Sequence, residues 1–322
     1  MRKLLILTTQ PGILDLYDHG QIGSHSNWGI TELRRKYETK ILNIGNTNIF
    51  RNTRIVLKED FDVLFMHNSN PFRIVPVYIL RALFPSFRYK KIMAISHASV
   101  WGKSNKPLEN TVARSVISWV FNGYDKLLFF SPKSASESVQ TGIKTDKCEV
   151  IHWGADLKYV QSQSIDIGNE GYWLSSGKER RDFDTLEKAA SLVRGASTIK
   201  ILRGGKSYPE ILYLTARSTG IVVVPQKKAL NYCVGLTCVM DAFALGKPIV
   251  AVRNPYWPFD IEKEGCGIFV NAESPNEIVD VIKIIEKNPD LYKTMCKNSK
   301  RMSEIYNMEQ YKNELYRIVD DL

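Results

Sequence analysis

Short apolar runs alternate along the chain with longer stretches in which apolar residues recur every three or four positions. In the first half, residues 4–8, 62–66, 91–96 and 126–131 read as buried strands, and residues 76–84 and 111–121 as helices. The second half repeats the scheme. Residues 172–176, 199–203, 220–224, 248–252 and 267–270 read as strands, and 184–193, 235–245 and 277–286 as helices. Such alternation predicts parallel sheets with right-handed crossovers. Two such halves predict an α/β chain of two Rossmann-like domains facing a central cleft. The Ser-, Gln- and Gly-rich stretch 161–171 is the expected linker. The expected domains are therefore residues 1–160 and 161–305. The tail from Pro289 reads as helical, and residues 306–322 could return to the first domain.

Length and composition fit this reading. A chain of 322 residues suits two domains, and 44% hydrophobic with 24% charged residues supplies two cores and argues against disorder. The opening Met1-Arg2-Lys3-Leu4-Leu5-Ile6-Leu7-Thr8 soon meets Gln10-Pro11-Gly12, so a first strand fits better than a signal peptide. No stretch approaches the roughly 20 apolar residues of a spanning helix, and a cytoplasmic protein is expected. The five cysteines form no CxxC pair and read as reduced, with no zinc cluster. The net charge of +10 is uneven: Met1 to Asp156 carries 21 Lys and Arg against 13 Asp and Glu. A basic first half points to an anionic partner (nucleic acid, an anionic membrane face or a phosphorylated lipid), or to nothing beyond a solvated surface. No nucleic-acid-reading motif accompanies it. Residues 78–91, with Phe84, Phe87 and Tyr89 beside Arg88, Lys90 and Lys91, mix aromatics and cations as interfacial segments do, and residues 101–106 form a basic loop. A buried helix with a charged rim explains the former equally well.

Candidate chemistry concentrates in the second half. A strand ends at Pro225, Gly235 opens a helix, and Gly246 closes it before Pro248. The amides of Gly235, Leu236 and Thr237 could bind an anion such as a diphosphate. Asp241, about a turn and a half in, could accept hydrogen bonds from ribose hydroxyls; a glycine cap with a solvated Asp is the plainer alternative. Lys178, Arg180 and Arg181 follow the strand-ending Gly177, and Lys206 follows the next strand in Arg203-Gly204-Gly205-Lys206. These cations could hold phosphate oxygens or could line solvated loops. His97 ends the strand 91–96, where a side chain can enter a cleft or simply be a satisfied core histidine. The Gly-rich first loop, with Gly23, His25 and Asn27, could cradle donor or acceptor. It is not GxGxxG, which makes a dinucleotide site a poor reading.

The segment Val234-Gly235-Leu236-Thr237-Cys238-Val239-Met240-Asp241-Ala242-Phe243-Ala244-Leu245-Gly246-Lys247-Pro248-Ile249-Val250 resembles the donor-site signature of retaining GT-B glycosyltransferases, the group 1 or family 4-like enzymes. Val150-Ile151-His152-Trp153-Gly154-Ala155-Asp156 resembles the close of that family's first domain. Tyr124 to Ser131, Ser176 to Leu186 and Gly265 to Val270 resemble further family segments in the same order. The resemblance covers roughly Lys126 to Tyr311. It implies that Asp241, in place of the usual Glu, binds the nucleotide ribose. It also implies that Arg181, then Lys178 and Lys206, stabilise the leaving diphosphate, and that His97 contacts the donor sugar. Cys233 stands where the family often has a second acid.

The function so implied is transfer of a sugar from a UDP- or GDP-sugar to a glycan or lipid-linked acceptor, with retention and without metal or other cofactor. The setting would be cell-surface polysaccharide or glycoconjugate synthesis, with peripheral contact to an anionic membrane and no nucleic acid. The alternatives are a nucleotide-sugar epimerase of the same architecture and a non-catalytic relative.

Overall fold

A computed structural model describes residues 1–44, 49–70, 73–84, 90–100, 111–178, 180–193, 198–230 and 232–322. The chain divides into two compact units. The first comprises Met1–His19, Ser26–Ile151 and Tyr311–Leu322, and the second Gly20–His25 and His152–Gln310.

The first unit holds strands β1 (Lys3–Thr8), β2 (Glu38–Asn43), β3 (Val63–Met66), β4 (Lys91–Ser96), β5 (Lys126–Phe129) and β6 (Cys148–Val150). All pairings are parallel, in the order β2-β1-β3-β4-β5-β6. Its helices are α1 (Ile13–Asp18), α2 (Ile30–Lys36), α3 (Ile49–Lys58), α4 (Val75–Leu83), α5 (Thr111–Phe121) and α6 (Pro132–Gln140). Strand side chains alternate between faces. One face therefore presents Leu5, Leu7, Leu64, Met66, Ile92, Ala94, Leu127 and Phe129, which share a core with Val56 of α3, Val77 of α4, Val120 of α5 and Ala135 of α6.

The second unit holds β7 (Tyr172–Ser176), β8 (Thr198–Leu202), β9 (Gly220–Val223), β10 (Ile249–Val252) and β11 (Gly267–Val270), again parallel, in the order β11-β10-β9-β7-β8. Its helices are α7 (Leu157–Ser162), α8 (Phe183–Leu192), α9 (Tyr208–Arg217), α10 (Leu236–Leu245), α11 (Pro275–Lys287) and α12 (Pro289–Ile305). Trp173, Val222 and Val250 pack there against Leu186 of α8, Ile278 and Ile282 of α11 and Met295 of α12. A last helix, α13 (Met308–Asp321), lies from Tyr311 onward within the first unit. A Cβ on Gly29 would stand 2.7 Å from Leu315 Cδ2, and Tyr37 donates to Asp320 at 2.7 Å.

Strands β4, β7 and β11 and helix α5 have the bounds their patterns predict, and the two parallel sheets agree with the expected α/β class. Strands β2 and β6 escape the pattern for a physical reason. Both are edge strands, and Glu38-Thr39-Lys40 opens β2 with an exposed, polar run. Residues 161–171, expected as a linker, are tied into the second unit. Arg217 pairs with Asp166 at 2.7 Å and Glu170 at 2.9 Å, and the Lys247 ammonium donates to Gly168 O at 2.8 Å and Ser218 O at 2.7 Å. Burial pushes the Lys247 pKa down to about 8, and these carbonyls replace the lost water.

Within the second unit the chain after Ile151 lies against the α12–α13 turn. Ala155 bridges to Asn307, and Met308 N donates to Ala155 O at 3.0 Å. Gly154 is needed for this approach, because a Cβ there would fall 2.0 Å from Tyr306 C and O. Gly154→Ala is expected to lose at least about 3 kcal/mol of stability, because the clash is with main chain that cannot swing aside. Urea unfolding checks this; an unchanged midpoint would show that the turn yields without cost.

Candidate functional site

Arg181 is the most unusual side chain of the second unit. Arg180, just before it, adopts a left-handed φ of 57°, and its guanidinium lies 4.9 Å from the Tyr232 ring centroid. The main chain of Arg181 then bridges to Pro225 in antiparallel fashion: Asp182 N donates to Val224 O at 2.8 Å and Gln226 N to Arg180 O at 3.0 Å. This clamp ties the loop after β7 to the end of β9 and turns the Arg181 side chain inward, where the residue is only 7% exposed. One guanidinium nitrogen is 3.6 Å from Cys238 Sγ. Nε has no hydrogen-bond partner among the described residues. A buried cation with no anionic partner among the described residues is costly, which makes Arg181 a candidate anion contact.

The surroundings suit an anion. Helix α10 begins at Gly235, which has φ 88°, and no side chain caps its first turn, although the Leu236 amide already donates to Cys233 O at 3.2 Å. A Cβ on Gly235 would lie 2.5 Å from Val223 Cγ1 and 3.9 Å from the Arg181 guanidinium. Gly177 borders the same group: a Cβ there would stand 2.8 Å from Arg181 Nε. Of the predicted residues, Gly177 and Gly235 thus border the Arg181 guanidinium, and Pro225 bridges to its main chain. Leu236 is buried beneath the turn and Thr237 is exposed on it.

Lys178 and Lys206 are less committed to this point. Lys178 is exposed and lies along Gly204. Lys206 is exposed and pairs at 3.0 Å with Glu210, the acid of the Ser207 capping box that opens α9.

Asp241 sits six residues beyond Gly235, about 9 Å along the helix axis. It is buried, and burial pushes its pKa up to about 7, partly offset by a hydrogen bond from Tyr208 at 2.7 Å. Sequence reasoning missed Tyr208, since nothing in the pattern links it to an acid so distant in the chain. Tyr208 also anchors the first loop. Its ring centroid lies 5.0 Å from that of His25 and 5.7 Å from that of Tyr159, stacked on the latter. His25 O accepts from Trp153 at 3.2 Å, and burial holds the imidazole down at about 4, neutral at pH 7. Gly23 is required beside it, because a Cβ would approach His25 Nδ1 to 2.8 Å and Asp156 Cβ to 3.0 Å. Asp156 fixes this loop through Ser24 N at 2.9 Å and Ser24 Oγ at 2.8 Å.

Asn27 and His97 belong to the first unit. Asn27 is not brought to a ligand position: its amide donates to Thr31 Oγ1 at 2.5 Å and accepts from Thr31 N at 3.2 Å, anchoring the start of α2. His97, beyond the end of β4, donates from Nε2 to His67 O at 3.2 Å, and its ring packs edge-on to Trp28 at 4.5 Å. Among the described residues no three His, Cys, Asp or Glu cluster as a metal site.

No protein-family model matches the chain, and no curated protein matches it in sequence. Solved structures do match. Anabaena HepE in complex with UDP-glucose aligns over 100% of both chains at 12% identity with a TM-score of 0.66. The sucrose-phosphate synthase of Thermosynechococcus elongatus aligns over 100% of this chain and 99% of its own at 12% identity, with a TM-score of 0.69. The Escherichia coli trehalose-6-phosphate synthase bound with UDP-2-fluoro glucose aligns over 99% of both at 9% identity, with a TM-score of 0.70. At such identities the likeness establishes the fold, which is that of the GT-B glycosyltransferases.

The raised pKa of Asp241 has a definite sign in stability. The carboxyl titrates at about 7 when folded and near 3.8 otherwise, so folding favours the protonated form. Its contribution is complete below pH 3.8 and is lost as pH rises toward 7, at up to about 1.4 kcal/mol per pH unit. Asp241→Asn is expected to flatten this loss. Denaturant titrations at pH 5 and pH 8 compare the two proteins, and parallel pH dependence would refute the assignment.

Proposed function

We propose that this protein is a glycosyltransferase that moves a sugar from a UDP- or GDP-sugar to a glycan or lipid-linked acceptor. It would act with retention and without metal, on the cytoplasmic side, in cell-surface polysaccharide or glycoconjugate synthesis. The observation that carries the reading is Arg181, buried and lacking a partner at Nε among the described residues, beside the uncapped N-terminus of α10. Proteins of this fold bind UDP-glucose and UDP-2-fluoro glucose, which supplies the class of anion.

In this reading the diphosphate lies between Arg181 and the amides of Gly235–Thr237. Asp241 lies about 9 Å further along α10, within reach of the ribose of the same nucleotide. Tyr208 must yield or share its hydrogen bond when the ribose hydroxyls arrive. Transfer breaks the bond between the anomeric carbon and the diphosphate oxygen, and the electron pair leaves on the diphosphate. The acceptor oxygen forms the new bond from the same face, and its proton passes to the departing diphosphate. Arg181 and the helix amides act where negative charge grows, which is the effective place for electrostatic catalysis. Lys178 and Lys206 are auxiliary cations, and Lys206 would first have to leave Glu210. His97 is the first unit's candidate for contact with the donor sugar.

Arg181→Ala is expected to lower kcat by roughly a hundredfold or more, with a smaller effect on KM. The same change is expected to raise the melting temperature of the ligand-free protein, since it removes a buried charge that has no carboxylate partner among the described residues. Kinetics with UDP- and GDP-sugars and a thermal melt read both; a pure KM effect or a large loss of stability would assign Arg181 to binding or to structure. The donor base is read by thermal shift with UDP, GDP, ADP and dTDP, because only a ligand of the native state raises the melting temperature.

Metal independence is tested separately. Turnover is expected to persist in EDTA, with Arg181 and the α10 amides carrying the diphosphate charge. Loss of turnover restored by Mn²⁺ or Mg²⁺ would overturn that part of the reading.

A further inference from the structure

Helices α3, α4 and α5 cover the same face of the first unit's sheet, since Val56, Val77 and Val120 join one core with Leu64, Ile92 and Leu127. Their opposite sides point outward. Those sides carry large apolar side chains, with Phe50 80% exposed, Leu83 67% and Trp119 51%; Phe84, just past α4, is 51% exposed. A soluble helix normally presents polar residues there. The charge is one-sided as well. The sequences IFRNTRIVLK, VPVYILRAL and TVARSVISWVF contain Arg51, Arg54, Lys58, Arg81 and Arg114 and no Asp or Glu. Arg51, Arg54, Lys58 and Arg114 are exposed. The pattern continues inward, where a pocket between α3 and α4 is lined by Leu57, Phe61, Val77 and Ile92 with Lys90.

We propose that the outer face of α3, α4 and α5 docks on an anionic lipid bilayer, with the cations on phosphate headgroups and Phe50, Leu83, Phe84 and Trp119 in the headgroup–acyl boundary. The mixture fits this partner better than others. Arg81 is paired with Asp125 at 2.9 Å and adds no charge to this face. A second copy of the chain would oppose the exposed Arg51, Arg54 and Lys58 to the same cations across a two-fold interface. Nucleic acid would satisfy the cations and leave exposed Leu and Phe without apolar partners. A lipid surface accepts both kinds of group at once.

The face differs from the one the local sequence pattern marks. Lys90 donates to Glu59 O at 2.9 Å and covers the Phe61 ring at 4.2 Å, and Lys91 faces Asp125 at 3.8 Å. Both are thus held within the unit. Phe87, Arg88, Tyr89 and residues 101–106 lie outside the described residues. Arg114 of α5 likewise donates to the carbonyls of Gln140 and Thr141, so the cations assigned here are Arg51, Arg54 and Lys58 of α3. No described helix is long and apolar enough to cross a membrane, so the contact is one of surface docking.

The test is co-sedimentation of the full chain with vesicles of phosphatidylglycerol and phosphatidylcholine, against vesicles of phosphatidylcholine alone. Two triple variants are compared, Arg51→Glu/Arg54→Glu/Lys58→Glu and Phe50→Ser/Leu83→Ser/Phe84→Ser, each shown to be folded by its melting curve. Wild type is expected on the anionic vesicles only, releasing as salt rises from about 50 mM to about 500 mM. Charge reversal is expected to weaken partitioning roughly tenfold or more, and the serine variant to weaken it even at low salt. Equal binding to both vesicles, binding to neither, or anionic binding unmoved by either variant would overturn the proposal. A concentration-dependent dimer in sedimentation velocity that both variants abolish would also overturn it, giving the face to a second copy.

Discussion

A guanidinium withdrawn from water, with no carboxylate partner among the described residues, sets the terms for the second unit. The fold must hold this side chain in place by means other than an ion pair. The means are visible. The Arg181–Pro225 bridge fixes its backbone, Gly177 and Gly235 leave room for its side chain, and Cys238 offers a soft contact that does not quench the charge. Each of these would be relaxed if an acid stood nearby. The chain instead places the uncapped end of α10 there, adding partial positive charge to a full one. The result is a concentration of positive charge at this end of the sheet.

Asp241 complements this arrangement because it is reluctant to ionise. With its pKa near 7, an acid about 9 Å along the helix axis from Gly235 only partly cancels the field at the helix start. It can also change role with its protonation, donating as an acid and accepting as an anion. Tyr208 keeps it oriented meanwhile, and through His25 and Tyr159 joins it to the loop at Gly20–His25. The acid, the phenol and the loop therefore behave as one packed group rather than as separate side chains.

How much of this the sequence discloses depends on the range of the interaction. Strand β4 and helix α5 announce themselves through apolar runs and spacing, because their burial is decided by neighbours a few positions away. The glycine before α10 and the one after it are equally legible, since both take left-handed φ at the helix ends. Strand β2 is not legible, because this edge strand opens with the polar run Glu38-Thr39-Lys40 and holds only Ile41 and Leu42 as apolar residues. The Arg181 site is legible in its parts, but the fact that makes it a site, burial without a carboxylate, exists only after folding. Asn27 shows the reverse: a polar side chain in a promising loop is occupied with Thr31 four residues on. Tyr208 could not be found at all, since its bond to Asp241 spans 33 positions.

The last helix has a consequence for the order in which this protein can be made. Tyr311, Leu315, Ile318 and Val319 of α13 are buried in the first unit, and Tyr311 and Leu315 lie against Gly29, which is synthesised far earlier. The first unit cannot cover the surface that these side chains bury until α13 has left the ribosome, although the second unit is by then almost entirely available. The usual N-to-C sequence of domain completion is thus inverted. The early segment must wait with part of its apolar surface open, a period in which chaperone binding and aggregation compete with folding. Native closure of the first unit becomes, in effect, a check that translation has passed through α13.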